Sequence, residues 1–476
     1  MNTNKYIFSF TSFQKILVAI LLLSIGVLGA IQPVFYAAII PIILSFIIMK
    51  LNLRDLLVSI WWTIVIALFF GAYLSVPGME SIYLFRFLLP MHLVVLLLNQ
   101  DFKISQLSRY RPYFIFLILF LLTSFISLFW ADSISLGFRY CYFVFEICYL
   151  FFLCFYHLDS KKPMKYLTQI ITVIFMGSLV LGLFEILTGW HMRLSASNVY
   201  ITTTSKYQPT GILYNTNDFA LFLAILYPVV SQYWLHMKKL RTGIVLYTVA
   251  TLLTAYVIIS TYSRIGMLAF GISAIAIFFY HFRKKGIAMV FMMFPAGFLL
   301  LVFTDFGERI IAIVHSAFTD KSTSTSAREN LYSLLFRIAK ESNFLGIGAG
   351  NVPKKLNALL LGYTDEGVDA YTTGHNFWLE TLGNIGFIGL LSCGMIFAWF
   401  IYQLLESGYL KFSPTALLIW MTFIGASIAL STILEKRFLW FILAMGICML
   451  QERLKEDRHS ESNRQNKKTN TNYRSG

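Results

Sequence analysis

Long apolar stretches alternate with short polar connections along most of the chain. A helix that crosses a bilayer needs roughly 20 predominantly apolar residues, and by that criterion the pattern predicts about 12–14 transmembrane helices. The fold class predicted from the pattern is all-α, a polytopic membrane protein. The predicted spans are 16–30, 34–49, 57–73, 82–98, 113–130, 137–156, 166–187, 219–235, 244–260, 265–280, 287–303, 385–404, 415–432 and 438–450.

Two long polar segments, 188–217 and 304–384, interrupt this alternation. They divide the chain into N-terminal transmembrane helices (1–187), a first long loop (188–217), central transmembrane helices (218–303), a large loop with short helices (304–384), C-terminal transmembrane helices (385–450) and a tail (451–476). The tail is polar and lacks apolar periodicity, so it is predicted to be disordered.

Composition supports the membrane assignment. Of the 476 residues, 58% are hydrophobic and only 13% are charged, which is too little polar surface for a soluble globule of this size. The net charge of +15 comes from Lys and Arg scattered in small clusters on alternate connections. This pattern indicates membrane orientation rather than nucleic-acid binding. It predicts cytoplasmic termini and places both long loops outside the cell.

The five cysteines all fall in apolar spans, and none forms a Cys-x-x-Cys pair. The sequence therefore implies neither a disulfide framework nor a metal site.

The large loop contains a predicted amphipathic helix. The tetrapeptide Ser326-Ala327-Arg328-Glu329 has the form of a capping box, and apolar residues follow at helical spacing. Arg328 is thereby predicted in the first turn, where a cation opposes the helix dipole, so we expect an anionic ligand to favour it. The later run Gly346–Gly350 has neither a preceding strand nor a βαβ unit, so it is predicted to turn the chain and not to bind a nucleotide.

Charged side chains near the ends of predicted spans are costly unless they are paired or hydrated. Arg86, Arg139 and Arg264 all lie near predicted outer ends, which favours a cationic cavity for a phosphate or diphosphate. The structural alternatives are snorkelling and an ion pair of Arg139 with Glu185. Glu146 lies deeper in its span and is predicted to be a structural partner.

His375 follows Gly374 and precedes Asn376 at the mouth of a predicted span. A neutral imidazole there can take a proton from a hydroxyl nucleophile, although a structural role is an equal alternative. Asn217 and Asp218 open another span, where they either cap the helix or line the site.

Four pieces between residues 211 and 390 occur in the order typical of one enzyme family. They are 211–220, which contains Asn215-Thr216-Asn217-Asp218; Ser263-Arg264-Ile265-Gly266; 326–351; and 375–390, which begins His375-Asn376-Phe377-Trp378-Leu379-Glu380. Together with the long loop, these pieces resemble the O-antigen ligase and polymerase superfamily of bacterial envelope glycan enzymes. The chain before these pieces is similar only in hydropathy.

The resemblance implies a plasma-membrane glycosyltransferase that takes glycan from an undecaprenyl diphosphate carrier at the outer leaflet, without a metal or other cofactor. By similarity, Arg264 and Arg328 hold the diphosphate and His375 activates the acceptor hydroxyl. The charge pattern adds Arg86 and Arg139 to the diphosphate site, and the candidates for other substrate contacts are Asn217 and Asn376. A repeat-unit flippase and a chain-length regulator are the implied pathway partners.

Three functions remain open at this point: a polymerase of lipid-linked repeats, a ligase that uses a different acceptor, and a flippase or other transporter of lipid-linked oligosaccharide. The frequent Ile, Phe, Lys, Asn and Tyr residues are typical of an AT-rich bacterium without an outer membrane. This favours polymerisation of a capsule, exopolysaccharide or teichuronic-acid-like polymer. A transporter would need polar groups through the full membrane depth.

Overall fold

The computed structural model describes residues 53–76, 79–99, 104–195, 205–319, 322–361 and 373–474. The predicted spans 16–30 and 34–49 lie outside these residues. The all-α class is confirmed, and the described residues also include one small two-stranded antiparallel sheet, β1 (Ser75–Val76) with β2 (Met79–Tyr83).

The described α-helices are numbered here in chain order. They are α1 (Leu53–Phe70), α2 (Leu84–Leu98), α3 (Arg111–Ile126), α4 (Ile134–His157), α5 (Lys161–Thr188), α6 (Thr216–Leu235), α7 (Leu240–Ser260), α8 (Arg264–Phe303), α9 (Asp305–Thr319), α10 (Ser322–Glu341), α11 (Val352–Leu361), α12 (Phe377–Glu406), α13 (Thr415–Ala429) and α14 (Arg437–Arg474). Short 3-10 turns extend or connect several of them, including one at Ile433–Glu435.

Eight helical segments in the described part of the chain are long and apolar enough to cross a membrane. They include α1, α4, α5, α6, α7, α12, the first part of α8, and α3 together with its flanking turns. The helices α2 and α13 are also apolar but shorter. The protein is therefore a multi-pass membrane protein, as its hydropathy predicts.

The chain divides into two compact units, Met1–Lys103 and Ile104–Gly476. In the described part of the first unit, α1 packs against α2, and the small sheet precedes α2. The second unit carries all the helices from α3 to α14.

The centre of the second unit is α6. Its residues from Asp218 to Ser231 are all buried, because α5, α7, α8 and α13 pack around it. A helix that is apolar on every side is expected to be surrounded in this way. The first turns of α14 are equally buried, and Trp440 is among the largest fully enclosed side chains.

Kinks divide two of the long helices close to the predicted boundaries. The spans predicted as 265–280 and 287–303 correspond to two segments of α8 that are separated by a kink at Arg283. The helix α12 has a kink at Gly386, next to the predicted start at 385, and Asn376 caps the short segment from Phe377 that precedes this kink. The tail 451–476 was predicted to be disordered, but it continues α14 as far as Arg474.

Candidate functional site

The short segment that enters α12 carries the predicted base. Asn376 caps α12, and its side-chain oxygen accepts hydrogen bonds of 3.1 Å from the amides of Trp378 and Leu379. His375 immediately before it adopts a left-handed backbone conformation, with φ of 51°. Such a conformation costs a non-glycine residue about 1–3 kcal/mol and occurs mostly where the surrounding structure enforces it.

Two helices hold this segment in place. The Tyr332 hydroxyl on α10 lies 3.3 Å from the carbonyl oxygen of His375 and 3.0 Å from that of Ile428 on α13, and its one hydrogen is shared between these two acceptors. The Trp378 indole donates to the Ser427 hydroxyl on α13 at 2.9 Å. The segment, α10 and the end of α13 are therefore tied together at one point.

Glu380 fixes the other side of the segment, because one of its carboxylate oxygens accepts the amide hydrogen of Gly374. This carboxylate lies one turn into α12. With its backbone held from both sides, His375 presents a half-buried imidazole whose Nδ1 has no hydrogen-bond partner in the described part of the chain.

Arg328 lies on α10 close to this histidine. The helix begins at Ser322, so Arg328 belongs to its second turn, and the predicted first-turn position was wrong. Arg328 and Tyr332 are four residues apart and share one helix face. Burial lowers the pKa of His375 below its usual value near 6.5, and the nearby guanidinium of Arg328 lowers that pKa further.

The glycine run after α10 turns the chain back against the bundle, as predicted. Gly346, Gly348 and Gly350 all have positive φ. The amides of Ile347 and Gly348 donate to the carbonyls of Gly383 and Asn384 at 2.8 and 3.0 Å. A Cβ on Gly350 would lie 2.4 Å from a backbone oxygen of α4, so this close approach requires glycine.

Arg264 is the first residue of α8, and the Ser263 side chain caps that helix by accepting the amide of Gly266 at 3.3 Å. The next side chain, Ile265, approaches Gly425 on α13. Since Ser427 and Ile428 lie on the same helix, the start of α8 and the His375 segment both reach the last turns of α13. The structure thus brings Arg264, Arg328 and His375 to one end of the bundle.

Other predicted site residues have different surroundings. Arg139 forms an ion pair with Glu435 at 3.3 Å, so the alternative pairing with Glu185 was wrong. Glu185 is buried and instead accepts the amides of Thr210 and Gly211 at 2.7 and 2.8 Å. The partners of Arg139 and Glu185 could not be read from the sequence, because the fold brings these groups together from separate parts of the chain.

Asn217 does not cap α6. The cap is Asn215, whose side-chain oxygen accepts the amide of Asp218 at 2.9 Å. The Asp218 carboxylate pairs with Lys436 from the loop before α14. The role of Asn217 in substrate contact stays a prediction.

The remaining charged residues fall into two groups. Glu146 is a structural partner, as predicted, because it pairs with Arg437 at 2.8 Å. Arg86 belongs to the first unit, where its guanidinium lies over the ring of Tyr83 at 4.8 Å. Its part in the site stays a prediction.

A cavity of about 280 Å³ lies beside the His375 segment. The first turns of α4 and α12 form two of its walls, Thr373 lines it, and the turn Ile433–Glu435 closes it. Its polar groups include the side chains of Arg139, Glu380 and Glu435. The described residues contain no cluster of three or more His, Cys, Asp or Glu side chains suited to a metal ion.

Sequence reasoning did not single out Tyr332 or Glu380. Tyr332 lies four residues after Arg328, and that spacing is the one signal that could have found it. Glu380 belongs to the motif that begins at His375, but its bond to Gly374 depends on the turn that precedes α12.

Known proteins that the chain resembles belong to envelope glycan synthesis. Residues 249–394 match the family model described as O-Antigen ligase, and this range contains Arg264, Arg328 and His375. The chain is also 24% identical over 403 residues to the Teichuronic acid biosynthesis protein TuaE of Bacillus subtilis (strain 168). The aligned region covers 78% of this chain and 79% of that protein. The family resemblance predicted from the sequence is confirmed.

Proposed function

We propose, from the match of residues 249–394 to the O-antigen ligase family, that the protein is a glycosyltransferase of envelope polysaccharide synthesis. It polymerises oligosaccharide repeats that are linked to undecaprenyl diphosphate, at the outer leaflet of the plasma membrane. The name of the Bacillus subtilis relative supports a cell-wall polymer of the teichuronic acid type as the product.

One observation carries this proposal: a histidine with an unpartnered Nδ1 lies beside an arginine that lowers its pKa. The lowered pKa keeps His375 neutral near physiological pH, which is the form that a general base requires. The guanidinium of Arg328 offers the planar donor fork that suits a phosphate group.

The proposed reaction is a displacement at the anomeric carbon. The acceptor hydroxyl loses its proton to His375 as its oxygen bonds to that carbon, while the bond from the carbon to the diphosphate breaks. Arg328 and Arg264 stabilise the negative charge that develops on the leaving diphosphate. Arg139 is paired with Glu435, so we assign the diphosphate chiefly to the other two arginines.

The test uses purified protein in proteoliposomes, supplied with undecaprenyl-diphosphate oligosaccharide and a chelator. Wild type is expected to produce a ladder of longer lipid-linked glycans on a gel. The ladder is expected to disappear in Arg264→Gln, Arg328→Gln and His375→Ala. The matched control is Arg337→Gln, which removes an exposed arginine from the same helix as Arg328 and should leave the ladder intact.

Two outcomes would contradict the polymerase assignment. If wild type moves the oligosaccharide across the bilayer without extending it, the protein is a transporter. If it transfers the glycan only to a chemically different acceptor, it is a ligase, and His375→Ala should abolish that transfer too.

A further inference from the structure

We infer that the cavity beside the His375 segment binds one sugar ring of the glycan substrate. This inference rests on the proposed function, because it assigns a substrate subsite to the same reaction centre. The cavity of about 280 Å³ lies at the lower end of the range of small-ligand sites, which begins near 300 Å³. Its size therefore suits a single ring better than a chain of sugars.

The lining of the cavity has the mixed chemistry that a sugar ring requires. Carboxylates of Glu380 and Glu435 can accept hydrogen bonds from ring hydroxyls, and Arg139 can donate to ring oxygens. The rings of Phe143 and Phe377 supply apolar surface for the carbon–hydrogen faces of a sugar. A lipid acyl chain would cover these polar side chains without offering them any hydrogen bond, which disfavours lipid as the occupant.

Two buried residues of the lining carry hydroxyl groups. Tyr140 is 8% exposed and Thr381 is 1% exposed, and the two hydroxyls lie close enough to interact with each other. Neither has a further hydrogen-bond partner among the described residues. Two hydroxyls that share one hydrogen bond keep one hydrogen unused, so the pair can still donate to a polar ligand in the cavity.

The one ion pair across the cavity is easy to open. Arg139 and Glu435 are 3.3 Å apart, and their side chains are 65% and 37% exposed. Exposed pairs of this kind contribute little to stability. A sugar hydroxyl can therefore replace one partner without a large loss of stability.

The cavity is positioned to orient a reacting hydroxyl. Thr373 lines it, Glu380 both lines it and accepts the amide of Gly374, and His375 is the next residue. A ring held there lies against the segment that carries the proposed base, and fixed orientation is a principal source of rate enhancement.

The test measures binding of the oligosaccharide itself, without its carrier. The probe is the labelled repeat oligosaccharide released by mild acid from the lipid-linked pool of the same bacterium. Binding is measured to full-length His375→Ala protein in nanodiscs, so that no turnover occurs. In that background, Thr381→Val is expected to weaken binding about fivefold or more, as loss of a buried hydrogen bond predicts.

Two matched variants control for folding. Thr381→Ser keeps the hydroxyl and should retain binding. Thr254→Val removes a buried hydroxyl on α7 that bonds its own helix backbone, and it should also retain binding. Equal binding by Thr381→Val and Thr254→Val, or no binding at all by the His375→Ala protein, would overturn the inference.

A second arm tests whether the bound sugar occupies a substrate subsite. Free oligosaccharide is titrated with and without saturating intact lipid-linked oligosaccharide. Both substrates of the proposed polymerase are lipid-linked, so the intact substrate is expected to displace the free oligosaccharide, and simultaneous binding of the two would overturn the inference. If wild type polymerises but the free oligosaccharide does not bind, the cavity inference fails while the proposed function stands. If the free oligosaccharide binds but wild type does not polymerise, the cavity inference stands while the proposed function fails.

Discussion

Three consecutive residues between α13 and the start of α14 each form an ion pair, and the pairs of Glu435 and Arg437 lie in very different environments. Arg437 pairs with Glu146 at 2.8 Å, and the side chains are only 14% and 2% exposed. Glu435, two residues earlier, pairs with Arg139 at 3.3 Å, and those side chains are 37% and 65% exposed. The effect of Arg→Ala on stability can therefore be compared between a buried ion pair and an exposed one.

The expected energies differ severalfold. Arg437→Ala leaves the Glu146 carboxylate buried and without this partner, which typically costs about 3–5 kcal/mol. Arg139→Ala leaves Glu435 accessible to water, and loss of an exposed pair costs at most about 1 kcal/mol. The fall in unfolding temperature should be at least about threefold larger for Arg437→Ala than for Arg139→Ala.

The assay is thermal unfolding of the purified protein in detergent, followed by tryptophan fluorescence. A double variant, Glu146→Gln with Arg437→Met, removes both buried charges and should recover most of the lost stability, because neither partner is then left charged and alone. Equal shifts for the two single variants, or a double variant no more stable than Arg437→Ala, would refute the reasoning.

Three further predictions concern the site. Gly350→Ala should destabilise the protein by about 1–2 kcal/mol or more, because the backbone at this position is left-handed. The control Gly394→Ala lies in a helix with open space around it and should leave the unfolding temperature nearly unchanged. Tyr332→Phe loses the hydroxyl that links the carbonyls of His375 and Ile428, so kcat should fall about tenfold with little change in KM, as steady-state kinetics can show. Arg328→Gln removes one of two causes that lower the pKa of His375. A base is active above its pKa, so the acid limb of any residual activity should move to higher pH, and an unmoved limb would contradict this assignment.

Hydropathy predicted most of the fold, because a membrane span needs a long apolar stretch whatever its neighbours are. The pattern placed a span at 244–260, and α7 runs from Leu240 to Ser260. Helix starts were less predictable. Every residue from Ser322 to Ser326 is Ser or Thr, and each of these residues can cap a helix. The local motif therefore could not select the residue at which α10 begins.

The site was predicted in its residue types but not in its contacts. His375 and Arg328 are 47 positions apart in the sequence, and their proximity depends on the turn made by the glycine run and on α10 packing against α12. The left-handed backbone of His375 also escaped prediction, because it follows from bonds made by Tyr332 and Glu380. Neither contact has a local sequence signature.

Sequence analysis assigned the candidate arginines the same role as anion ligands. In the structure they differ in whether a carboxylate neutralises their charge. Arg139 pairs with the carboxylate of Glu435. Arg328 pairs with no carboxylate in the described part of the chain, and its charge acts instead on the imidazole of His375. A cation without a fixed counter-ion retains its full capacity for an incoming diphosphate. Binding of that anion would offset the charge that holds the His375 pKa low, so the base should strengthen when the donor is in place.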